Sequence, residues 1–169
     1  MVSIKKGSNL FSGFVGGLST ILDRIAGFCM FSIMGLIVIN VLLRTIFNSS
    51  ILGTYEYVGF LTAAMIGLSL ANCAYVRGHI AVDYFMERLS LKTQKVTDGI
   101  TTGTALLFWV LSAWHLSKYA YTLSLSGVVS PTTQTPFYYF IYVLAFGLLA
   151  MGLVLLANLM EHLKRLVVR

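Results

Sequence analysis

Four long stretches without a charged residue divide this chain and limit what it can fold into. None of them contains Asp, Glu, Lys or Arg, and they cover Ile25 to Leu43, Tyr57 to Val76, Gly99 to Ser117 and Phe137 to Met160. A helix that rises about 1.5 Å per residue needs about 20 apolar residues to cross a hydrocarbon layer about 30 Å thick. We therefore predict an all-α integral membrane protein with transmembrane helices at 25–43, 57–76, 99–117 and 137–160.

The composition agrees with a single membrane domain over residues 1–169. Hydrophobic residues make up 57% of the chain and charged residues 11%, whereas about a quarter of a soluble domain is charged. We expect no cleaved signal peptide, because no apolar core followed by a small-residue cleavage site occurs near the N-terminus. Cys29 and Cys73 both lie within predicted spans, where we expect them to pack as small apolar residues rather than form a disulfide.

The basic residues predict the orientation of the chain. Ten of the 12 lie before span one, between spans two and three, or after span four, and only Arg44 and Lys118 lie in the other two connections. Cytoplasmic segments carry this excess of Lys and Arg, so we expect both termini to be cytoplasmic. Tyrosines gather at the opposite interface, as expected for rings at the headgroup level. This distribution of the net charge also argues against a nucleic-acid partner.

Two connecting segments have helical patterns but are too polar to span. Apolar residues fall on one helical face in residues 10–24, and residues 80–96 repeat the pattern less regularly among charged positions. We expect both to be interfacial amphipathic helices on the cytoplasmic side, the second acting as an arm between spans two and three. In contrast, the Ser-, Thr- and Pro-rich run before Pro136 predicts an ordered loop on the outer side.

The predicted spans contain little that could perform chemistry. They carry no carboxylate, although ion-coupled pumps keep ionisable groups inside the membrane. His115 is the only histidine in a span, so paired axial ligands for haem are missing. No Ser/His/Asp set, His/Cys metal cluster or glycine-rich phosphate loop occurs at a useful spacing. We therefore predict no enzyme activity, no catalytic or metal-binding residues and no cofactor.

Charges just outside the spans are the candidate interaction sites. Arg44 ends span one and Glu56 begins span two on the same outer surface, where they could pair, dock a partner, or only fix the depth of the helices. On the cytoplasmic side we expect Arg77, His79 and Asp83 to form a structural cluster that fixes the angle of the arm.

Small residues recur every four positions along span two. This stripe consists of Gly59, Ala63, Gly67 and Ala71. Small residues let another helix backbone approach closely within lipid, where no hydrophobic force drives helices together. The stripe therefore predicts helix packing, with a partner helix from this chain or from another.

Several of these motifs resemble the small membrane subunit, or DctQ-type subunit, of tripartite ATP-independent periplasmic (TRAP) transporters. They are Arg44, the run Gly53-Thr54-Tyr55-Glu56-Tyr57, the run Arg77-Gly78-His79-Ile80-Ala81-Val82-Asp83, and Thr135-Pro136. The run from Arg77 to Asp83 is the most specific, and the likeness covers roughly Asp23 to Leu163. Members often have two adjacent acidic residues where this chain has Tyr55-Glu56, so a role carries over to Glu56 only.

The resemblance implies a multi-pass protein of the bacterial inner membrane that assembles with two others. A large M-type membrane subunit would carry substrate and sodium, and a periplasmic binding protein would deliver an organic anion such as a C4-dicarboxylate or a sialic acid. The small subunit would then be a static scaffold that braces the large one, surrounded by phospholipids. Two alternatives are a self-contained small multidrug-type exporter and a tetraspan membrane assembly protein unrelated to transport.

Overall fold

A computed structural model describes residues 10–76 and 91–167, and within these ranges the chain forms four α-helices. They are α1 (Leu10–Phe47), α2 (Thr54–Tyr75), α3 (Leu91–Ser126) and α4 (Tyr138–Val167). Each contains a stretch long and apolar enough to cross a membrane. In the same ranges, β-type pairing is limited to one isolated β-bridge between Val129 and Pro136. The predicted all-α fold with four transmembrane helices is confirmed.

The helices pack side by side in the order α1, α2, α4, α3. The α2–α4 pair forms the centre of this row, α1 packs against α2 and less extensively against α4, and α3 packs against α4. In their most apolar stretches, α2 and α4 have 33% and 39% of residues buried, whereas α1 and α3 have 6% each. The two helices at the edges of the row, α1 and α3, therefore expose broad apolar faces to lipid or to a neighbouring protein.

The core is built mainly from small and aliphatic side chains. It combines the first half of α1 with α2 and α4, and its buried members are Val15, Leu22, Ala26, Leu68, Ala71, Ala74, Ala150, Met151, Val154 and Leu155. Because lipid is as apolar as these side chains, close van der Waals packing holds the helices together. Alanines at these positions allow the helix axes to come close.

The first helix runs without a break across two predicted segments. Residues 10–24 and span one both lie within α1. Val15 and Leu22, on the apolar face of the first segment, are buried against α2 and α4. The ring of Tyr75 also lies against Gly16, where an added Cβ would come within 2.6 Å of the tyrosine oxygen. This face is therefore covered by protein, and the point at which α1 leaves the membrane stays a prediction.

The connection between α2 and α3 lies largely outside the described residues. Residues 77–90 include Arg77, His79 and Asp83, so the predicted structural cluster lies outside the described part of the chain. The end of the predicted arm, residues 91–96, belongs to α3, which continues into the third span without interruption. The cytoplasmic location of the termini stays a prediction from the charge distribution.

Candidate functional site at the Glu56 end

A tight turn connects α3 to α4. The amide of Ser130 donates to the carbonyl of Thr135 at 3.0 Å, and the amide of Gln134 donates to the carbonyl of Ser130 at 3.0 Å. Gly127 and Gln134 have positive φ angles of 63° and 51°. These reversals fold residues 127–137 into an ordered loop, as their Ser, Thr and Pro content predicted. We call this segment the outer loop after the side of the membrane predicted for it.

The carboxylate of Glu56 binds this loop from the first turn of α2. The amides of Thr132 and Thr133 donate to its two oxygens at 3.0 Å each, and the Thr133 hydroxyl donates to Oε2 at 2.7 Å. An ionised carboxylate only accepts hydrogen bonds, and bonds to a charged acceptor are stronger than those between neutral groups. Glu56 thereby clamps the α3–α4 connection onto the beginning of α2.

The α1–α2 connection joins the same clamp. Asn40 in α1 accepts the amide of Ile51 at 2.9 Å, and the Thr54 hydroxyl donates to the carbonyl of Ile51 at 2.8 Å. Gly53 caps α2 with a φ of 78°, and the methyl of Thr133 occupies the space that a Cβ at Gly53 would need. Glycine is required here by its positive φ and by this close contact. All four helices are thus tied together at one end of the row.

Arg44 and Glu56 are placed differently at this end. Arg44 is exposed on the last turn of α1. Glu56 is partly buried, and its hydrogen bonds within the described residues go to the outer loop. The structure therefore gives Glu56 an internal structural contact and leaves Arg44 accessible. Docking of a partner by either residue stays a prediction.

The small-residue stripe of α2 divides into two halves. Gly67 and Ala71 are fully covered, and Gly67 lies so close to Gly147 of α4 that a Cβ on Gly147 would overlap the Gly67 backbone. Gly59 is exposed, with no atom within 4 Å of the position of a Cβ, and Ala63 is partly buried. One half therefore packs within this chain, while the other half faces open space.

That open space is a groove of about 390 Å³ between α2 and α4. Its floor includes Gly59 and Ala63, and its walls are largely apolar side chains of α4 and the loop. The lining residues are Tyr55, Glu56, Gly59, Phe60, Ala63, Ser130, Pro131, Phe137, Phe140, Ile141 and Leu144. The Phe60 ring stacks on Phe140 with centroids 4.2 Å apart and meets Phe137 edge-on at 5.4 Å. These ring contacts hold one wall of the groove in place.

The remaining predicted positions offer no reactive centre in the described structure. Cys29 is buried, Cys73 is exposed, and neither is in a disulfide. Among residues 10–76 and 91–167, no group of three or more His, Cys, Asp or Glu side chains could hold a metal ion. The Glu56 end of the row thus offers a fixed shape and an apolar groove.

Sequence reasoning missed the partners of Glu56 and the role of Asn40. Thr132 and Thr133 lie 76 and 77 positions from Glu56, so no local pattern links them. Asn40 carried a usable signal, since an amide side chain inside an apolar helix needs a hydrogen-bond partner. The nearest backbone groups outside a helix are in the connection that follows α1, and the Ile51 amide in that connection is the partner of Asn40.

Comparison with known proteins identifies the family. No curated protein sequence and no solved structure is significantly similar to the chain. A sequence model of one family, described as tripartite ATP-independent periplasmic transporters, DctQ component, matches residues 33–165. That range is most of the chain and includes the Glu56 clamp, the groove and the stripe. The chain therefore belongs to the DctQ component family of tripartite ATP-independent periplasmic transporters.

Proposed function

We propose that this small TRAP subunit braces a large, sodium-coupled M-type subunit in the bacterial inner membrane. The complete transporter would take up an organic anion, such as a C4-dicarboxylate or a sialic acid, delivered by a periplasmic binding protein. Family membership supports the assembly with these two partners. The shape of the chain supports the bracing role.

The observation that carries this proposal is the closely packed, uncharged centre of the row. Where α2 and α4 meet, Ala71, Met151 and Val154 are almost completely buried. The predicted spans contain no Asp, Glu, Lys or Arg that could bind sodium or a carboxylate substrate. A chain built this way suits a fixed support better than a conduit for ions.

The exposed apolar surface of α1 supports attachment to a larger protein. α1 exposes bulky side chains from its middle onward, including Phe28, Phe31, Met34 and Val38. Arg44 is exposed on the last turn of the same helix, and the Glu56 clamp holds the connection that follows it in place. We infer that Arg44 contributes a docking charge and that Glu56 contributes by shaping the surface beside it.

Co-purification tests the assembly. The chain would be expressed with the large subunit and the binding protein, extracted in mild detergent and isolated through a tag on the small chain. We expect the large subunit to be recovered, and sodium-driven anion uptake in liposomes to require both membrane subunits. Uptake by this chain alone, or failure to recover the large subunit, would contradict the proposal.

Charge reversal tests the docking role of Arg44. Arg44→Glu should reduce recovery of the large subunit by about fivefold or more, because like charges across an interface are unfavourable. Lys118→Glu is the matched control, since Lys118 is an exposed basic residue on α3, the outer helix at the opposite edge of the row. Equal losses in the two variants would remove Arg44 from the docking surface.

A further inference from the structure

We propose that the groove between α2 and α4 at the Glu56 end binds one acyl chain of a phospholipid that carries an ammonium headgroup. This site is separate from the bracing role, which concerns contact with another protein. The proposal rests on the size and direction of the groove, on its small-residue floor, and on polar groups at one end.

The size and direction of the groove fit a hydrocarbon chain. Its volume of about 390 Å³ exceeds the roughly 150 Å³ that is enough to hold benzene in an apolar cavity. Along α2, the lining extends from Tyr55 to Ala63, which is about 12 Å at 1.5 Å per residue. Because α2 spans the membrane, the groove extends along the direction in which acyl chains lie. A single side chain from a partner would enter from the side and fill only part of it.

The floor of the groove exists because two residues of α2 are small. A Cβ at Gly59 would meet no atom within 4 Å, whereas one at Gly67 would come within 2.6 Å of Leu144. Helices α2 and α4 are thus in contact at the level of Gly67 and separated at the level of Gly59. A space of this kind does not stay empty in a membrane, because lipid chains gain dispersion contacts by filling it.

The polar end of the groove has an unused hydrogen-bonding group. Ser130 lines the groove and is completely buried, yet none of the described residues makes a hydrogen bond with its hydroxyl. The Ser130 side chain lies beside the Glu56 carboxylate, but its hydroxyl does not meet the geometry of a hydrogen bond with any described residue. Buried polar groups normally have a partner, so a ligand headgroup or ester at this end would satisfy the hydroxyl once the Ser130 side chain turns toward the groove.

The charge at this end selects the headgroup. Glu56 accepts three hydrogen bonds, but no Lys, Arg or His among the described residues makes an ion pair with it. A carboxylate has room for about four such contacts. A primary ammonium offers both the missing positive charge and a donor. Tyr55, Tyr138 and Tyr139 lie at the same end, where aromatic side chains of membrane proteins meet headgroups.

The first test blocks the groove at its floor. The full-length chain would be placed in nanodiscs with a photoactivatable phosphatidylethanolamine, and labelled peptides would be mapped by mass spectrometry. Gly59→Leu should reduce labelling of the peptides that contain Phe60 and Phe140 by about fivefold or more. Gly35→Leu is the matched control, since Gly35 also has no atom within 4 Å of a Cβ position but lies on α1. Equal labelling of the two variants would overturn the proposal.

The second test addresses the headgroup. Native mass spectrometry would compare binding of phosphatidylethanolamine and phosphatidylglycerol with identical acyl chains. The unmodified chain should retain the ethanolamine lipid at least threefold better, and Glu56→Gln should abolish this preference. Thr133→Val removes one hydrogen bond to the same carboxylate without removing its charge, so it should keep the preference. Loss of the preference in both variants, or in neither, would contradict the headgroup assignment.

These measurements use the isolated chain, so they stand apart from the test of the bracing role. Lipid retention with no recovery of the large subunit would support the groove and contradict the proposed function. Recovery of the large subunit with unchanged labelling of Gly59→Leu would do the reverse.

Discussion

The two levels of the α2–α4 contact have similar sequences on α2 but different structures. At the Gly67 level, Gly147 stands opposite, and the two backbones touch. At the Gly59 level, Phe137, Phe140 and Ile141 stand opposite, and a groove of about 390 Å³ remains between the helices. Small residues on one helix therefore permit close approach only where the facing helix is also small. The outer loop, fixed by Glu56, borders the end where the helices stay apart.

The largest effect should come from adding a methyl group where the backbones touch. Gly147→Ala would place its Cβ against the backbone of Gly67, which cannot move aside as a flexible side chain could. Overpacking of this kind costs about 1–3 kcal/mol, and here we expect the upper end of that range. Unfolding of the purified chain in detergent, followed by circular dichroism, would measure it.

Gly152→Ala provides the control for that prediction. It lies on the same helix, and its Cβ would come within 3.2 Å of a Val110 methyl rather than of backbone. We expect a smaller loss of stability, because a side-chain end can shift by a few tenths of an ångström. If Gly152→Ala is as destabilising as Gly147→Ala, the comparison between backbone contact and side-chain contact fails.

A smaller effect, confined to one end, should follow from loss of the Glu56 clamp. Glu56→Ala removes the acceptor for the amides of Thr132 and Thr133. Hydrogen exchange at these two amides should become about tenfold faster or more, because they lose a charged acceptor and gain access to water. The Gly67 level should keep its protection. Unchanged exchange in the outer loop would show that the loop holds its shape without Glu56.

The smallest effect should come from Gly59→Ala. Open space surrounds the new methyl group, and alanine favours a helix over glycine by about 0.5–1 kcal/mol in water. We expect a change in stability between zero and a gain of this size, measured under the same unfolding conditions as Gly147→Ala. A loss of more than about 1 kcal/mol would mean that the helices close on Gly59 more tightly than the structure describes.

Much of this fold could be predicted from the sequence, because crossing a membrane restricts the options. The four uncharged stretches lie in α1 to α4 apart from Val76 and Phe137, which flank helix ends. The length of α1 was less predictable. Two patterns, one amphipathic and one uniformly apolar, join in a single helix because nothing between residues 24 and 25 interrupts the backbone hydrogen bonds.

The site was predictable only in part, for reasons of distance along the chain. Glu56 stood out as a charge at a helix start, but its partners are 76 and 77 residues away. The stripe predicted a packing surface, and in the structure Gly67 lies against Gly147. It gave no sign that Gly59 would line a groove, because that depends on the phenylalanines of α4. The spacing of small residues in the sequence describes one face of α2, but it does not identify the residues of α4 that pack against that face.

The separation between Glu56 and its loop also sets an order of events during synthesis. The carboxylate and the amides that bind it are made 76 residues apart, which takes about 4–15 s at common translation rates. During that interval the first two helices have no partner for this charge. The contact can form only after α3 and the loop that follows it have been made, so α2 and the α3–α4 connection are joined late in synthesis.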